Sequence, residues 1–466
     1  MIDRHEFVTP TLQYEAHWTK PPLTYWAAAA GIQLFGCNAW GARFGSGLAF
    51  ALAAMGVLGA GHALWGKRGG VWAGACFCTM PFTVVAGNVL TTDILLTAWT
   101  AMAVWAFARL QSASSRRAER VAGLSFWFFT GLAFLTKGPP ALLFLPPLLV
   151  WHWRQRPARR LITFGGLAVF VIVGLGWYLL MLRSHPELLR TWVSGELEDR
   201  LLSSASHNDE WYKAFYIYVP SLTLGAGGWL WFVVRAGIER KAYRADVLKR
   251  YLTSQTPVGW LLLWIVTTLM IFTIAKSKLH LYVLPLSIPF ALLLGRYLGN
   301  RPGMDGAATR VFLSSWVVLV LLKGGVGLLP HHRDMARLAK ACQKAAGSPE
   351  VVALTTQDKL NGLQFYLDGK LDRYSASGKM LPYHPAGGRD LVHRIVHADN
   401  LDRLVCIVPS DAQSQPLFGI LSTHGITVYT NDDCGWCVLT FRRAVLPGQN
   451  DKPPEDRSNH ATPARR

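Results

Sequence analysis

The sequence predicts an α-helical polytopic membrane protein with a small C-terminal α/β soluble domain. Three observations carry this expectation. Of the 466 residues, 51% are hydrophobic and only 16% charged; apolar runs of membrane length recur through the first 330 residues; and the composition turns polar after them. Nineteen tryptophans suit a chain anchored at two membrane–water boundaries better than an ordinary soluble enzyme. The expected organisation is a membrane domain over 1–330, an α/β domain over 331–446 and a disordered tail over 447–466, which is rich in Pro, Asp, Arg and Asn.

The first twenty residues are polar, cannot span a bilayer and lack the pattern of a signal peptide. The apolar run 21–35 opens on Pro21-Pro22 and stops at Gly36. This punctuation suits a helix. It is too short to cross, which takes roughly 20 residues, and its Tyr25 and Trp26 suit a helix lying at the interface. Ten spans are then expected, at about 40–64, 70–89, 91–110, 121–135, 139–153, 161–182, 215–234, 257–274, 279–294 and 311–329.

Charge orients these spans. The connections 66–69, 109–120, 154–160, 235–250 and 296–310 hold 2, 4, 4, 6 and 3 Lys or Arg, whereas the alternate connections are short or acid-balanced. By the positive-inside rule the basic set is cytoplasmic. The net charge of +19 therefore reads as topology signal and contact with anionic lipid rather than as a nucleic-acid surface. Lys20, Asp93, Lys137, the loop 183–213, Lys276, Lys278 and the C-terminal domain then fall on the outer side. The polar N-terminal residues fall there too, so a further span is expected upstream of Met1.

Beyond residue 330, helices at 331–346, 360–367 and 390–396 interleave with strands at 351–355, 404–408, 426–429 and 437–441, the order of a small α/β domain. The seven cysteines are scattered, with Cys37, Cys76, Cys78 and Cys406 in or beside apolar stretches, which argues against a disulfide framework. Cys434-Gly435-Trp436-Cys437 has thioredoxin-like spelling, but that chemistry needs a helix after the motif, and Val438 to Phe441 reads as strand. A hairpin is expected there.

Several polar residues interrupt this apolar pattern. Asp93 opens a span that carries no other charge until Arg109. A carboxylate at membrane depth marks a functional site by default, although Thr91, Thr92 or Asp93 could equally cap the helix. Lys20, stiffened by Pro21-Pro22, suits a phosphate as an aimed point charge and also suits a snorkelling membrane flank. Lys137, in Leu135-Thr136-Lys137-Gly138-Pro139-Pro140, and Lys278 with Tyr282, in Ser277-Lys278-Leu279-His280-Leu281-Tyr282-Val283-Leu284-Pro285, repeat the theme of a cation at a helix entrance. Together these turns form a ring for an anionic headgroup. His207, beside Asp209 and Glu210, is a candidate ligand for a divalent metal, and a solvated loop is the competing reading. The tyrosines and tryptophans of 211–218 suit sugar stacking and the membrane belt equally. No phosphate-cradling glycine loop occurs, so an activated donor would arrive within the membrane.

Phe7-Val8-Thr9-Pro10, Thr19-Lys20-Pro21-Pro22-Leu23-Thr24-Tyr25-Trp26, Thr92-Asp93, Lys137-Gly138-Pro139, Lys278-Leu279 and Tyr282-Val283-Leu284-Pro285 resemble the aminoarabinose transferase and protein O-mannosyltransferase group of GT-C glycosyltransferases (glycosyltransferase family 39). The resemblance runs to about Gly295. It implies an integral enzyme of the bacterial inner membrane that moves a sugar from a polyprenyl-phosphate carrier to a glycolipid or protein acceptor on the outer face. It further implies phosphate contacts at Lys20 and Tyr282, with Lys137 and Lys278 beside them, and Asp93 as the acid of the second outer loop. In that family an Asp-Glu pair opens the first outer loop, upstream of where this chain starts. Thr19 stands where many relatives of the lipid A branch carry Glu before the lysine.

The physical logic runs parallel. Displacement at an anomeric carbon needs a base near the acceptor hydroxyl and stabilisation of the departing phosphate; Asp93 supplies or supports the first and the lysines the second. Two other classes compete: a transporter or flippase of amphipathic lipid-linked substrates, and a catalytically inactive homologue. Transporters place ionisable groups near the bilayer midplane and repeat their halves, whereas here the charges gather at one face.

Overall fold

A computed structural model of the chain describes residues 2, 5–12, 15–18, 20–155, 161–190, 192, 210–239, 256–328, 334–347, 349–354, 361–367, 371–374, 391–409, 421–433 and 436–443. The chain forms two compact units, Met1–Val326 and Gly327–Arg466.

In the first unit a small hairpin, β1 (Thr11–Leu12) against β2 (Glu15–Ala16), precedes helix α1 (Leu23–Phe35). Pro22 stands at the N-cap of α1, and Gly36, at φ 83°, ends it. Helix α2 (Ala39–Thr79) contains two of the expected spans, because Gly66 leaves helical geometry at φ 78° and ψ 177°. A Cβ on Gly70 would lie 2.7 Å from the Leu58 carbonyl oxygen, whereas along a straight helix these residues would be about 18 Å apart. The chain therefore doubles back at Gly66, a conformation open to glycine and costly for other residues.

The second arm ends sooner than its apolar run suggests. Met80 is extended, and Pro81 starts a separate short helix, α3 (Pro81–Gly87). Helices α4 (Thr92–Gln111) and α5 (Arg116–Lys137) follow. The expected span 139–153 is likewise broken. Pro139–Leu142 forms a 3-10 turn and α6 covers only Leu145–Arg154, as prolines at 139, 140, 146 and 147 deny the backbone donors a continuous helix needs.

Helix α7 (Phe164–Phe170) joins α8 (Gly176–Ser184) through a π-helical turn at Val171–Leu175. The remaining spans are helical at Lys213–Ala226 and Leu230–Glu239, Pro257–Ile274, Ser287–Gly299 and Asp305–Leu328. Among the described residues, seven helices are long and apolar enough to cross a membrane, the 41-residue α2 counting as one. The chain is a multi-span membrane protein.

Contacts link parts of three basic connections in this unit. Arg68 and Trp72 both donate to Asp305 Oδ1, at 2.5 and 3.0 Å, and Glu239 accepts from Arg301 and Tyr297, each at 2.9 Å. The core between the ends is packed with aromatic rings; Trp260 and Trp264 stack with centroids 6.0 Å apart.

The second unit is a five-stranded sheet in the order β4-β3-β5-β7-β6, made of β3 (Glu350–Leu354), β4 (Asp372–Tyr374), β5 (Leu404–Pro409), β6 (Ile426–Asp433) and β7 (Trp436–Arg443). The β4-β3-β5 pairs are parallel, and β5-β7-β6 are antiparallel. Leu404, Cys406 and Val408 pack with the helix Leu391–Val396, and Val405 and Ile407 pack with the helix Met335–Ala346. Successive β5 residues thus serve opposite faces, each covered by helix. The β6–β7 register runs to Asp433↔Trp436, so strand, not helix, follows the Cys-x-x-Cys stretch. None of the six described cysteines is joined in a disulfide. The tail 447–466 and His207 lie outside the described residues.

Candidate active site

Helix α4 starts at the end of the unit opposite Arg68 and Asp305. Its N-cap is Thr91, whose hydroxyl makes no capping bond. Asp93, the second residue of the helix, does not cap either: its carboxylate receives the ammonium of Lys137, the last residue of α5. Both side chains are nearly closed to solvent, at 10% and 8% exposure. A buried carboxylate in an apolar wall requires such a partner, and the antiparallel run of α4 and α5 brings the two residues to one level.

Lys137 is also held from a second direction. Its ammonium lies 4.5 Å from the centroid of the Tyr282 ring, within the range of a cation–π contact. The Ser277 hydroxyl stands 3.4 Å from the Tyr282 phenol. Gly138, at φ 70°, turns the chain immediately after Lys137.

These groups open onto a cavity of about 420 Å³, within the size range of small-molecule sites. Its wall includes Lys20, Lys137, Ser277 and Tyr282 at the polar rim, and Leu96, Phe134, Phe144, Trp264, Ile271 and Phe272 along its apolar length. Three of the residues read from the sequence as phosphate contacts, Lys20, Lys137 and Tyr282, therefore share one cavity. Asp93 stands behind Lys137 and does not line it. Lys278 is not brought to it either: it is fully buried and its ammonium donates to the Ala275 carbonyl at 2.6 Å. The 3-10 segment His280–Leu286 turns the chain here, so that Tyr282 rather than Lys278 faces the cavity.

The sequence reading missed Trp18, Tyr178 and Trp192, which form an aromatic part of the wall, and Thr100 and Thr268. Trp18 directly precedes the Thr19-Lys20-Pro21-Pro22 stretch, which was the one available signal. The aromatic run 211–218 lies elsewhere: Trp211 and Tyr216 are 64% and 75% exposed and do not line the cavity. Near the rim, His17 Nδ1 lies 2.8 Å from the Tyr25 phenol, and burial raises the Tyr25 pKa above its ordinary value of 10.0. Among the described residues no three His, Cys, Asp or Glu come together as a metal site would require.

Bundled apolar helices that enclose a cavity with lysines in its wall define a multi-span membrane protein with an internal site. Residues 19–177 match the family described as dolichyl-phosphate-mannose-protein mannosyltransferase. The undecaprenyl phosphate-alpha-4-amino-4-deoxy-L-arabinose arabinosyl transferase of Edwardsiella ictaluri is 30% identical over 318 residues, 67% of this chain and 55% of that protein. The transferase 1 of the same description from Sodalis glossinidius is 29% identical over 352 residues, 72% of this chain and 60% of that protein. The chain thus spans less than two thirds of the length of these relatives. The crystal structure of ArnT from Cupriavidus metallidurans bound to undecaprenyl phosphate superposes with a TM-score of 0.67 at 18% identity, covering 94% of this chain and 91% of that one. The apo structure gives 0.66. Residues 19–177 thus carry the likeness to that family, and the fold of the chain is that of these two structures.

Proposed function

We propose that this protein transfers a sugar from a polyprenyl-phosphate carrier to a glycolipid or protein acceptor, at the outer face of a bacterial inner membrane. The observation that carries this reading is the convergence of Lys20, Lys137 and Tyr282, from three distant parts of the chain, on one otherwise apolar cavity. Such a wall suits an isoprenoid, and the cations suit its phosphate. The names of the curated relatives, which are undecaprenyl phosphate aminoarabinose transferases, support the same donor class.

In the reaction the acceptor oxygen forms a bond to the anomeric carbon, the bond from that carbon to the phosphate oxygen breaks, the polyprenyl phosphate departs with the electron pair, and the hydroxyl proton is taken up by the departing phosphate. Negative charge grows on the leaving phosphate, where Lys20, Lys137 and the Tyr282 hydroxyl act as preplaced partners. Asp93 works as a positioning residue. It holds the Lys137 ammonium from behind, which leaves that ammonium's other donors for the phosphate.

The alternation of basic connections supports an outer-side rim and a periplasmic second unit. The proposed organisation is a catalytic membrane domain over 1–330 and an extracytoplasmic domain over 331–446. Two measurements test the reading: binding of undecaprenyl phosphate, and transfer of radiolabelled sugar from its polyprenyl-phosphate donor in membranes. Lys20→Ala and Lys137→Ala should each weaken both. Silent substitutions, or labelling of a cysteine placed at position 20 only from the cytosolic side, would overturn it.

A further inference from the structure

Three indole N–H groups, on three separate parts of the chain, donate to main-chain carbonyls of one short N-terminal segment. Trp26 of α1 donates to Phe7 at 2.6 Å, Trp177 of α8 to Val8 at 2.8 Å, and Trp192 to Trp18 at 2.8 Å. Other contacts of the segment are a two-residue ladder between β1 and β2, the His17 amide on the Pro10 carbonyl at 2.7 Å, the His17 ring 2.8 Å from the Tyr25 phenol, and the Trp18 ring against His185 with centroids 4.8 Å apart. It ends at Lys20, and Trp18, Lys20 and Trp192 lie in the same cavity wall. Beneath it, Trp177 packs in an apolar cluster with Leu135 and Met181, against which Trp18, Trp26 and Trp192 rest.

We propose that Trp177 and Trp192 are positioning residues for Lys20, tying the 7–18 segment down through their indole nitrogens so that the lysine is held at the cavity rim. An indole N–H is a donor only, and a carbonyl left without its donor in a half-buried site is costly. Losing one tie therefore frees the segment at that point. Val8 is fixed far along the segment, and Trp18 two residues from the lysine, so the two ties set different ends of one strap. Lys20 is then held between the Trp18 tie on one side and the stiff Pro21-Pro22 corner on the other.

This inference rests on the lipid-phosphate reading of the cavity, and its test separates the two. Trp177→Phe and Trp192→Phe keep an aromatic ring and remove the donor. Binding of undecaprenyl phosphate to the full chain should weaken about three- to tenfold in each, the worth of one net hydrogen bond. In a Lys20→Ala background the same substitutions should cause no further loss, since residues acting through a shared partner are not additive. Unchanged binding, an equal loss with and without Lys20, or a lowered melting temperature with the affinity of the folded protein intact would each overturn the assignment. Should Lys20→Ala itself bind the lipid like the native chain, the cavity reading falls together with the tie. Should Lys20→Ala weaken binding while the tryptophan variants do not, only the tie falls.

Discussion

Lys137 donates its ammonium to the carboxylate of Asp93 across 44 residues of sequence, and each side chain is about nine-tenths buried. The pair joins the start of one helix to the end of the next, and the same ammonium sits over the Tyr282 ring. A charge that is both neutralised from behind and stacked from the side has little freedom left. The rim of the cavity is thus fixed by contacts among its own members before any ligand arrives.

Removing one member of the pair should cost far more than removing both. Asp93→Ala or Lys137→Ala leaves a buried charge without its counterion, for which about 3–5 kcal/mol is typical. The double variant Asp93→Asn/Lys137→Met should recover most of that stability and still fail to bind the lipid phosphate. Thermal denaturation in detergent beside an undecaprenyl phosphate binding assay checks both halves. A double variant as unstable as the singles would count against the pairing.

Tyr282 offers a way to separate ring from hydroxyl. Tyr282→Phe keeps the surface under Lys137 and should leave stability within about 0.5 kcal/mol while weakening donor binding. Tyr282→Ala loses the cation–π contact as well, worth about 0.5–2 kcal/mol, and should lower the melting temperature. The comparison of the two variants in the same two assays assigns each loss to its atom.

The sequence made the helical membrane architecture legible, because apolar length and the alternation of basic connections are periodic and global signals. It also marked Lys20, Asp93, Lys137 and Tyr282, since isolated polar groups in apolar surroundings are conspicuous. It did not show that Asp93 and Lys137 pair, which depends on how α4 and α5 lie beside each other. Lys278 looked like another rim cation, and only the 3-10 turn at 280–286 reveals that it points into the protein. The strand Asp372–Tyr374 has three residues and two charges, so no apolar alternation announced it. The indole ties end on carbonyl oxygens, which every residue has, and so left no trace in side-chain pattern.

Gly138 should tolerate no side chain. Its φ of 70° and ψ of −141° lie where residues with a Cβ are strained by about 1–3 kcal/mol, and an added Cβ would stand 3.1 Å from the Tyr178 phenol. Gly138→Ala should therefore lower stability by roughly that amount and displace Lys137, its neighbour, so that lipid binding falls as well. A stable Gly138→Ala protein with native binding would contradict the geometry.

The second unit should weaken in alkali through two buried thiols. Burial pushes both Cys342 and Cys406 up to about 12 from an ordinary 9.0, with the neighbouring Cys437 adding to the shift at Cys406. In the unfolded chain these thiols lose their protons near pH 9, whereas in the folded unit they keep them. Between about pH 9 and 12 the folded state thus binds more protons, and stability must fall as pH rises. The slope is at most about 1.4 kcal/mol per pH unit for each group. Below pH 9 neither thiol ionises in either state, and they add no pH dependence. Denaturant midpoints of the full chain, recorded from pH 8 to 11 on a signal from the 404–443 sheet, should decline above pH 9. The decline should flatten in Cys342→Ala and again in Cys342→Ala/Cys406→Ala. An undiminished slope in the double variant would mean that other groups carry the alkaline loss.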